Sequence, residues 1–361
     1  MAKLNEMLRL QVREESDLQR WEEELKLFSA TPFFASSWLE CFRTKTRRPI
    51  YLRFVSEGKT IGLAAGLQNE PFNRVLRKFF RVLFFYSGPS VVVQERGLTQ
   101  LCLEKLIGYA RENKFTHVKL ESWDFSCSID VDVLPFKPIV RKEYVLDMRL
   151  GLSELIKCMK KSRRREIKAA GRNGLTFHES NSPSILNNLL NLLEETKSIR
   201  LSKNYQDYNY FYISFLDLKT LYKLFENRIV RAFYVMNEAD GLLSVSLDTV
   251  HHKRAYGLFI GTNQVGYKLK SNTFMNFKLI EKYKEEGIES YNFGGVPSDE
   301  SARGLRFFKT SFGAIEKVCT GGRTQHLQSP FIDHLAEVYT KLPETKLKKI
   351  IRKSLTGRNY S

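Results

Sequence analysis

The chain has 361 residues, enough for two domains, with 42% hydrophobic and 27% charged residues, which excludes a disordered chain. Lys and Arg total 58 against 40 Asp and Glu, a formal charge of +18, which favours polyanionic partners: nucleic acid, nucleotide-linked substrates or an anionic membrane surface. The five cysteines (41, 102, 127, 158 and 319) are scattered and never form a C-x-x-C pair, which argues against a disulfide framework and a structural zinc site. No secretory signal is visible in MAKLNEMLRLQVREESD, and no uncharged apolar run reaches the ~18 to 20 residues that span a bilayer. A reduced, cytoplasmic setting is the expectation, with RVLRKFFR and the basic C-terminus leaving room for peripheral contact with the inner face of an anionic membrane.

In chain order, Leu8 to Val12 can pair as a strand, and Asp17 caps a helix with Leu18, Trp21, Leu25 and Phe28 on one face. Thr31-Pro32 ends it, and Ser36 or Ser37 can cap a second helix carrying Trp38, Leu39 and Phe42. Pro49 to Val55 and Ile61 to Gln68 read as a hairpin around Ser56-Glu57-Gly58-Lys59. In RVLRKFFR, Arg74, Lys78, Arg77 and Arg81 share one predicted helical face. A strand at Val82 to Tyr86, a helix from about Thr99 to Asn113, a strand at Thr116 to Leu120 and another at Glu143 to Met148 complete the first half.

The second half repeats that order. A helix from Leu152 to near Gly171 or Gly174 precedes a short strand, Leu175 to Glu179, and a helix from Ser182 to about Ile199. A Tyr-rich loop and helix follow to Leu224, then a hairpin of Ile229 to Asn237 with Gly241 to His251, and a strand at Arg254 to Ile260. Helix Lys270 to Glu286 and strand Glu289 to Phe293 close it. The repeat is one of element order, without sequence identity. Val338 to Arg358 reads as a basic amphipathic helix.

Several chemistries lack their motifs. There is no G-x-x-x-x-G-K-[ST], no G-x-G-x-x-G after a strand, no G-x-S-x-G elbow and no H-E-x-x-H. The predicted loop GTNQVGYKLKS, Gly261 to Ser271, lacks the Q-x-x-G-x-G/A spacing with which a helix N-terminus holds the pyrophosphate of an acyl-CoA. In YNFGGVPSDESARGLRFFKTSFG, Tyr291 to Gly313, Lys309 stands among Phe307, Phe308 and Phe312. Either those rings carry the ammonium toward a cleft, or its stem lies on apolar surface with the head in water.

Four motifs together carry a resemblance: R-R-R-x-I-x-x-A at Arg163 to Ala170, Y-G-L-F-I-G at Tyr256 to Gly261, Y-N-F-G-G-V at Tyr291 to Val296, and G-L-R-F-F-K-T-S-F-G at Gly304 to Gly313. The chain resembles the FemABX aminoacyltransferases, including the related GNAT-like N-acyltransferase branch. That resemblance implies an α+β (α/β) fold of two tandem GNAT-like domains. The first would span 1–148, completed by 319–361, and the second 149–318. It implies transfer of an amino acid from aminoacyl-tRNA to an amine of a UDP- or lipid-linked muropeptide precursor, with no cofactor; acyl-CoA is the donor in the alternative reading.

The resemblance assigns Phe308 and Lys309 to the catalytic pair. Arg200, Tyr205, Tyr256, Tyr86 and Arg43 are its candidates for substrate binding. Arg200 can equally cap its helix C-terminus, and the tyrosines can be core residues. Lys160, Lys161, Arg163, Arg164 and Arg165 are either a solvated helix face or a contact for an RNA backbone. A third reading is non-catalytic, a basic binder of RNA or of an anionic membrane. No residue is expected to hold a metal.

Overall fold

The computed structural model describes residues 10–28, 31–92, 96–130, 136–202, 210–296 and 302–329. Tyr205 and the basic segment 338–358 lie outside these. The chain divides into two compact units, residues 1–141 with 318–361, and residues 142–317.

The first unit runs β1 (Gln11–Glu14), α1 (Leu18–Leu25), α2 (Ser36–Cys41), β2 (Arg47–Ser56), β3 (Lys59–Asn69), α3 (Arg74–Arg77), β4 (Val82–Phe85), β5 (Ser90–Val91), α4 (Arg96–Glu112), β6 (His117–Leu120) and the start of β7 (Phe136–Asp147). Asp17 caps α1 as its sequence signals, its carboxylate accepting from the amides of Gln19 and Arg20. Ser36 and Ser37 are the first residues of α2 rather than its cap, which is Ala35, and Ser36 gives both its amide and its hydroxyl to Glu22, each at 2.6 Å. Arg53, 8% exposed, is paired with Glu24 and Glu15 and so ties β2 to the start of the chain. The sheet is mostly antiparallel. Its one parallel pair among the described strands is β4 with β6, Val82 opposite His117 through Phe85 opposite Leu120. That pair needs a crossover, and α4 supplies it, burying Cys102, Leu103, Leu106 and Ala110 on the sheet. The chain re-enters this unit at the end, where Gly322 and Arg323 pair with β6.

The second unit runs from the end of β7 through α5 (Leu152–Cys158), α6 (Lys161–Gly171), β8 (Thr176–Ser180), α7 (Ser184–Leu201), α8 (Leu218–Glu226), β9 (Val230–Asn237), β10 (Gly241–His251) and β11 (Arg254–Thr262). It continues with α9 (Gln264–Leu269), α10 (Ser271–Glu285), β12 (Ser290–Gly295), α11 (Arg303–Thr310) and the start of β13 (Ile315–Thr324). Its sheet again has one parallel pair among the described strands, β11 with β12, joined by α9 and α10. The parallel register covers only Arg254 to Tyr256 against Ser290 to Asn292.

Two expected helices differ. The helix predicted from Leu152 to Gly171 is broken: Met159 and Lys160 are extended, with ψ of 142° and 145°. Met159 is 2% exposed, and the break lets it enter the core while the Lys160 amide donates to the Ser311 carbonyl at 2.9 Å. The helix predicted over residues 74–81 is a single turn, Arg74–Arg77. Arg77 and Arg81 leave the shared face to pair with Glu70.

Candidate active site

The end of β12 is built to expose carbonyl oxygens. Its register against β7 shifts between Asn292 and Gly295, and Gly294 sits at φ +76°, where a side chain would be strained. Asn292 stabilises the shift: its Oδ1 accepts from the Gly294 amide at 2.8 Å, and its Nδ2 donates to Glu143, 1% exposed, at 2.7 Å. The carbonyls of Phe293, Gly294 and Gly295 are thereby released from regular pairing.

Lys309 fills that position. It lies near the end of α11, 7% exposed, and its ammonium donates to Phe293 O at 2.6 Å, Gly294 O at 3.0 Å and Gly295 O at 2.8 Å. An ammonium has three donors, and a buried one is tolerable only when all are satisfied. The head therefore does not snorkel. The alternative of a stem on the surface with its charge in water is excluded by this geometry.

Aromatic rings and one arginine hold α11 in place. Phe308 meets Phe312 edge-on at 5.3 Å, Phe312 meets Phe293 at 5.7 Å, and Phe293 meets Tyr291 at 4.6 Å. Arg163 lies over Phe308 and Phe312, at 4.4 and 4.8 Å from the ring centres. It donates to Ser311 Oγ at 2.8 Å, Thr273 Oγ1 at 2.6 Å and Glu166 at 2.5 Å. This corrects the grouping of Arg163 with the polyanion contacts. It is 5% exposed and joins α6, α10 and α11. Burial pulls its guanidinium below the ordinary value, and Glu166 opposes that. Lys160, Lys161, Arg164 and Arg165 are exposed. Lys160 lies 4.6 Å over the ring of Phe307, which is 49% exposed.

Tyr256 is 4% exposed on β11, directly opposite Asn292 in the parallel register, with Arg254 over its ring at 5.6 Å. Arg200 is half-buried on the last turn of α7, close enough to Tyr267 of α9 for its charge to oppose the rise that burial causes in that phenol. Neither first-unit candidate presents a free polar group. Tyr86 is fully buried among Phe33, Trp38, Phe42 and Phe84, which makes it a core residue and corrects the substrate assignment. Arg43 is exposed but held by Glu40 at 2.5 and 2.7 Å, so its charge is neutralised within its own helix turn. Lys309, Phe308, Arg163, Lys160 and Tyr256 thus converge on β12 and α11.

Two carboxylates escaped the sequence reading. Asp248, fully buried beneath the site at a register shift in β10, accepts from Ser246 at 2.6 Å and from Tyr283 at 3.0 Å. Burial pushes it up to about 6. An acid within the apolar run SVSLDTV was the available signal. Glu195 of α7 accepts from the Gln264 amide at 2.8 Å, while Asn263 accepts from the Gly266 amide at 2.7 Å. Both satisfy donors at the N-terminus of α9, and nothing in the local sequence links residues 195 and 264.

Residues 157–309 match the model of the acetyltransferase (GNAT) domain. That stretch has a GNAT-like acyltransferase fold. It holds the parallel pair β11 and β12, and its matched span ends at Lys309. The fold is FemX-like: the crystal structure of FemX aligns with a TM-score of 0.66 at 14% identity, covering 86% of this chain and 96% of that one. The L-PGS structure from Bacillus licheniformis aligns at 0.52 and 14% identity, covering 90% and 96%. The C-terminal domain of a putative lysylphosphatidylglycerol synthetase from Agrobacterium fabrum aligns at 0.50 and 13%, again covering 90% and 96%. At these identities the likeness is one of fold. No curated protein sequence matches the chain.

Proposed function

We propose that this acyltransferase moves an amino acid from aminoacyl-tRNA to an amine of a UDP- or lipid-linked peptidoglycan precursor. The observation that carries the choice of donor is the contact of Glu195 with the Gln264 amide, the first of α9. In an acyl-CoA enzyme the amides after β11 would hold a pyrophosphate, and a carboxylate on the first of them repels one. The exposed cations Lys160, Lys161, Arg164 and Arg165 support a polyanionic donor instead. The motif resemblance to cell-wall aminoacyltransferases and the FemX-like fold support the acceptor class.

In this reading the acceptor amine attacks the ester carbonyl of the aminoacyl-tRNA. A C–N bond forms, the C–O bond to the ribose breaks, and the amine proton passes to the departing ribose oxygen through the substrate's own groups. Lys309 supplies fixed positive charge beside the developing oxyanion, and can give one N–H to it in exchange for a carbonyl of β12. Such stabilisation is worth about 3 kcal/mol. Phe308 and Arg163 position α11, and the exposed ring of Phe307 beside Lys160 offers a face on which a terminal base can stack.

The test presents labelled aminoacyl-tRNA and labelled acyl-CoA in parallel with UDP-linked and lipid-linked precursors. Label is expected on the precursor only from aminoacyl-tRNA, and Lys309→Ala should lower turnover by about a hundredfold. Product formed from acyl-CoA without tRNA would sink the donor assignment. Unchanged turnover in Lys309→Ala would remove Lys309 from the reaction.

A further inference from the structure

The loop between β3 and β4 does something the acyl-transfer reading does not use. Its base is tied down from several sides. Arg81 pairs with Glu70 at 2.8 Å, donates to the Asn113 carbonyl at 2.7 Å and lies 4.4 Å over the Phe115 ring. Arg77 donates to the Pro71 carbonyl at 3.0 Å, and Pro71 is buried. The Glu70 amide donates to Thr46 O at 2.8 Å.

What this base holds up is an exposed tip of mixed character. Phe72 is 67% exposed and Phe79 39% exposed. Arg74 and Lys78 are exposed and make no ion pair among the described residues. The two aromatic side chains leave apolar surface in water at an anchored tip, while the two cations beside them are well hydrated. Its chemistry complements a surface that is apolar below and anionic above, which is an anionic lipid bilayer. A nucleic acid could stack on a ring face, but two aromatic side chains raised together at a protruding tip are buried more fully by acyl chains than by a strand that tracks the cations.

We propose that the loop of residues 70–81 is a membrane-docking element that inserts Phe72 and Phe79 among anionic lipids while Arg74 and Lys78 contact the headgroup phosphates. The inference stands apart from the reaction proposed above, since no acyl transfer enters its test.

The full chain is sedimented with phosphatidylcholine vesicles made with and without phosphatidylglycerol, at low and high salt. Binding is expected only with phosphatidylglycerol and should weaken as salt rises. Each cation near such a surface contributes roughly a fivefold gain, so Arg74→Gln with Lys78→Gln should lower partitioning by at least about tenfold. Phe72→Ser with Phe79→Ser should also lower it. The native tryptophans Trp21, Trp38 and Trp123 are buried, so Phe72→Trp provides a reporter whose emission should shift to the blue on anionic vesicles. Equal binding to phosphatidylcholine alone, or no binding at all, overturns the proposal. So does wild-type binding by both double variants, which would assign the contact to other cations, or an unshifted Phe72→Trp emission.

Discussion

Lys309 brings three N–H groups to a strand end that offers three carbonyls, and this match explains why a cation can be buried among phenylalanines. In the adjoining layer Arg163 is satisfied in the same way. Its removal leaves Ser311 and Thr273 without their donor and empties the space over Phe308 and Phe312. Arg163→Ala should cost about 3 kcal/mol in chemical denaturation, and Arg163→Lys should not restore it, because an ammonium cannot stack on two rings while forking to three oxygens. Asp248 makes a prediction in pH. Its carboxyl is raised from 3.8 to about 6 by burial, so its favourable contribution is full below the unfolded value and is lost as pH rises through about 6. Above that, the folded chain carries a buried carboxylate. Asp248→Asn keeps an acceptor for Tyr283 and cannot ionise. Its melting temperature relative to the parent should be more favourable at about pH 8 than at about pH 5. An unchanged difference would show that Asp248 does not titrate in this range.

Among the elements, α6 shows how far charge density can be read. A run of cations with few acids announces an exposed helix face, and Lys161, Arg164, Arg165 and Lys168 do lie on it. The same run hid Arg163, because charge pattern alone does not say which cation faces Ser311 and two rings from a segment 148 residues away. The break at Met159 was equally invisible: neither Met159 nor Lys160 is a breaker, and the extended pair is held by core burial and by the Ser311 carbonyl. Changing Lys161, Arg164 and Arg165 together to Gln should leave the fold intact and weaken tRNA binding. The slope of log affinity against log salt should fall by about 2, measured by titration at several salt concentrations. A slope equal to the parent's would mean that these cations do not meet phosphates. The motif around Lys309 was legible because a lysine, three phenylalanines and paired glycines are each odd for a surface turn, and odder together.

For the whole molecule, each unit has its own core. Tyr144, Met159, Phe233, Met275, Tyr283 and Phe312 belong to one, and Leu52, Phe54, Phe85, Leu106 and Leu120 to the other. An isolated fragment 142–317 should therefore unfold cooperatively, as followed by circular dichroism. Truncation after residue 317 should destabilise the rest, because Gly322 and Arg323 no longer pair with β6. A non-cooperative fragment would mean that its core depends on the remainder of the chain. Composition, hydrophobic period and turn residues are local quantities, and by themselves they determined the doubled element order; the motifs ending at Gly313 carried the resemblance that implied the α/β class. Tertiary structure alone decided which polar groups lose water. It put Lys309 on three carbonyls, Arg163 and Tyr86 in the core, Glu195 on the Gln264 amide, and Phe72 into solvent. Desolvation depends on what packs against a residue from elsewhere in the chain, and no local pattern carries that.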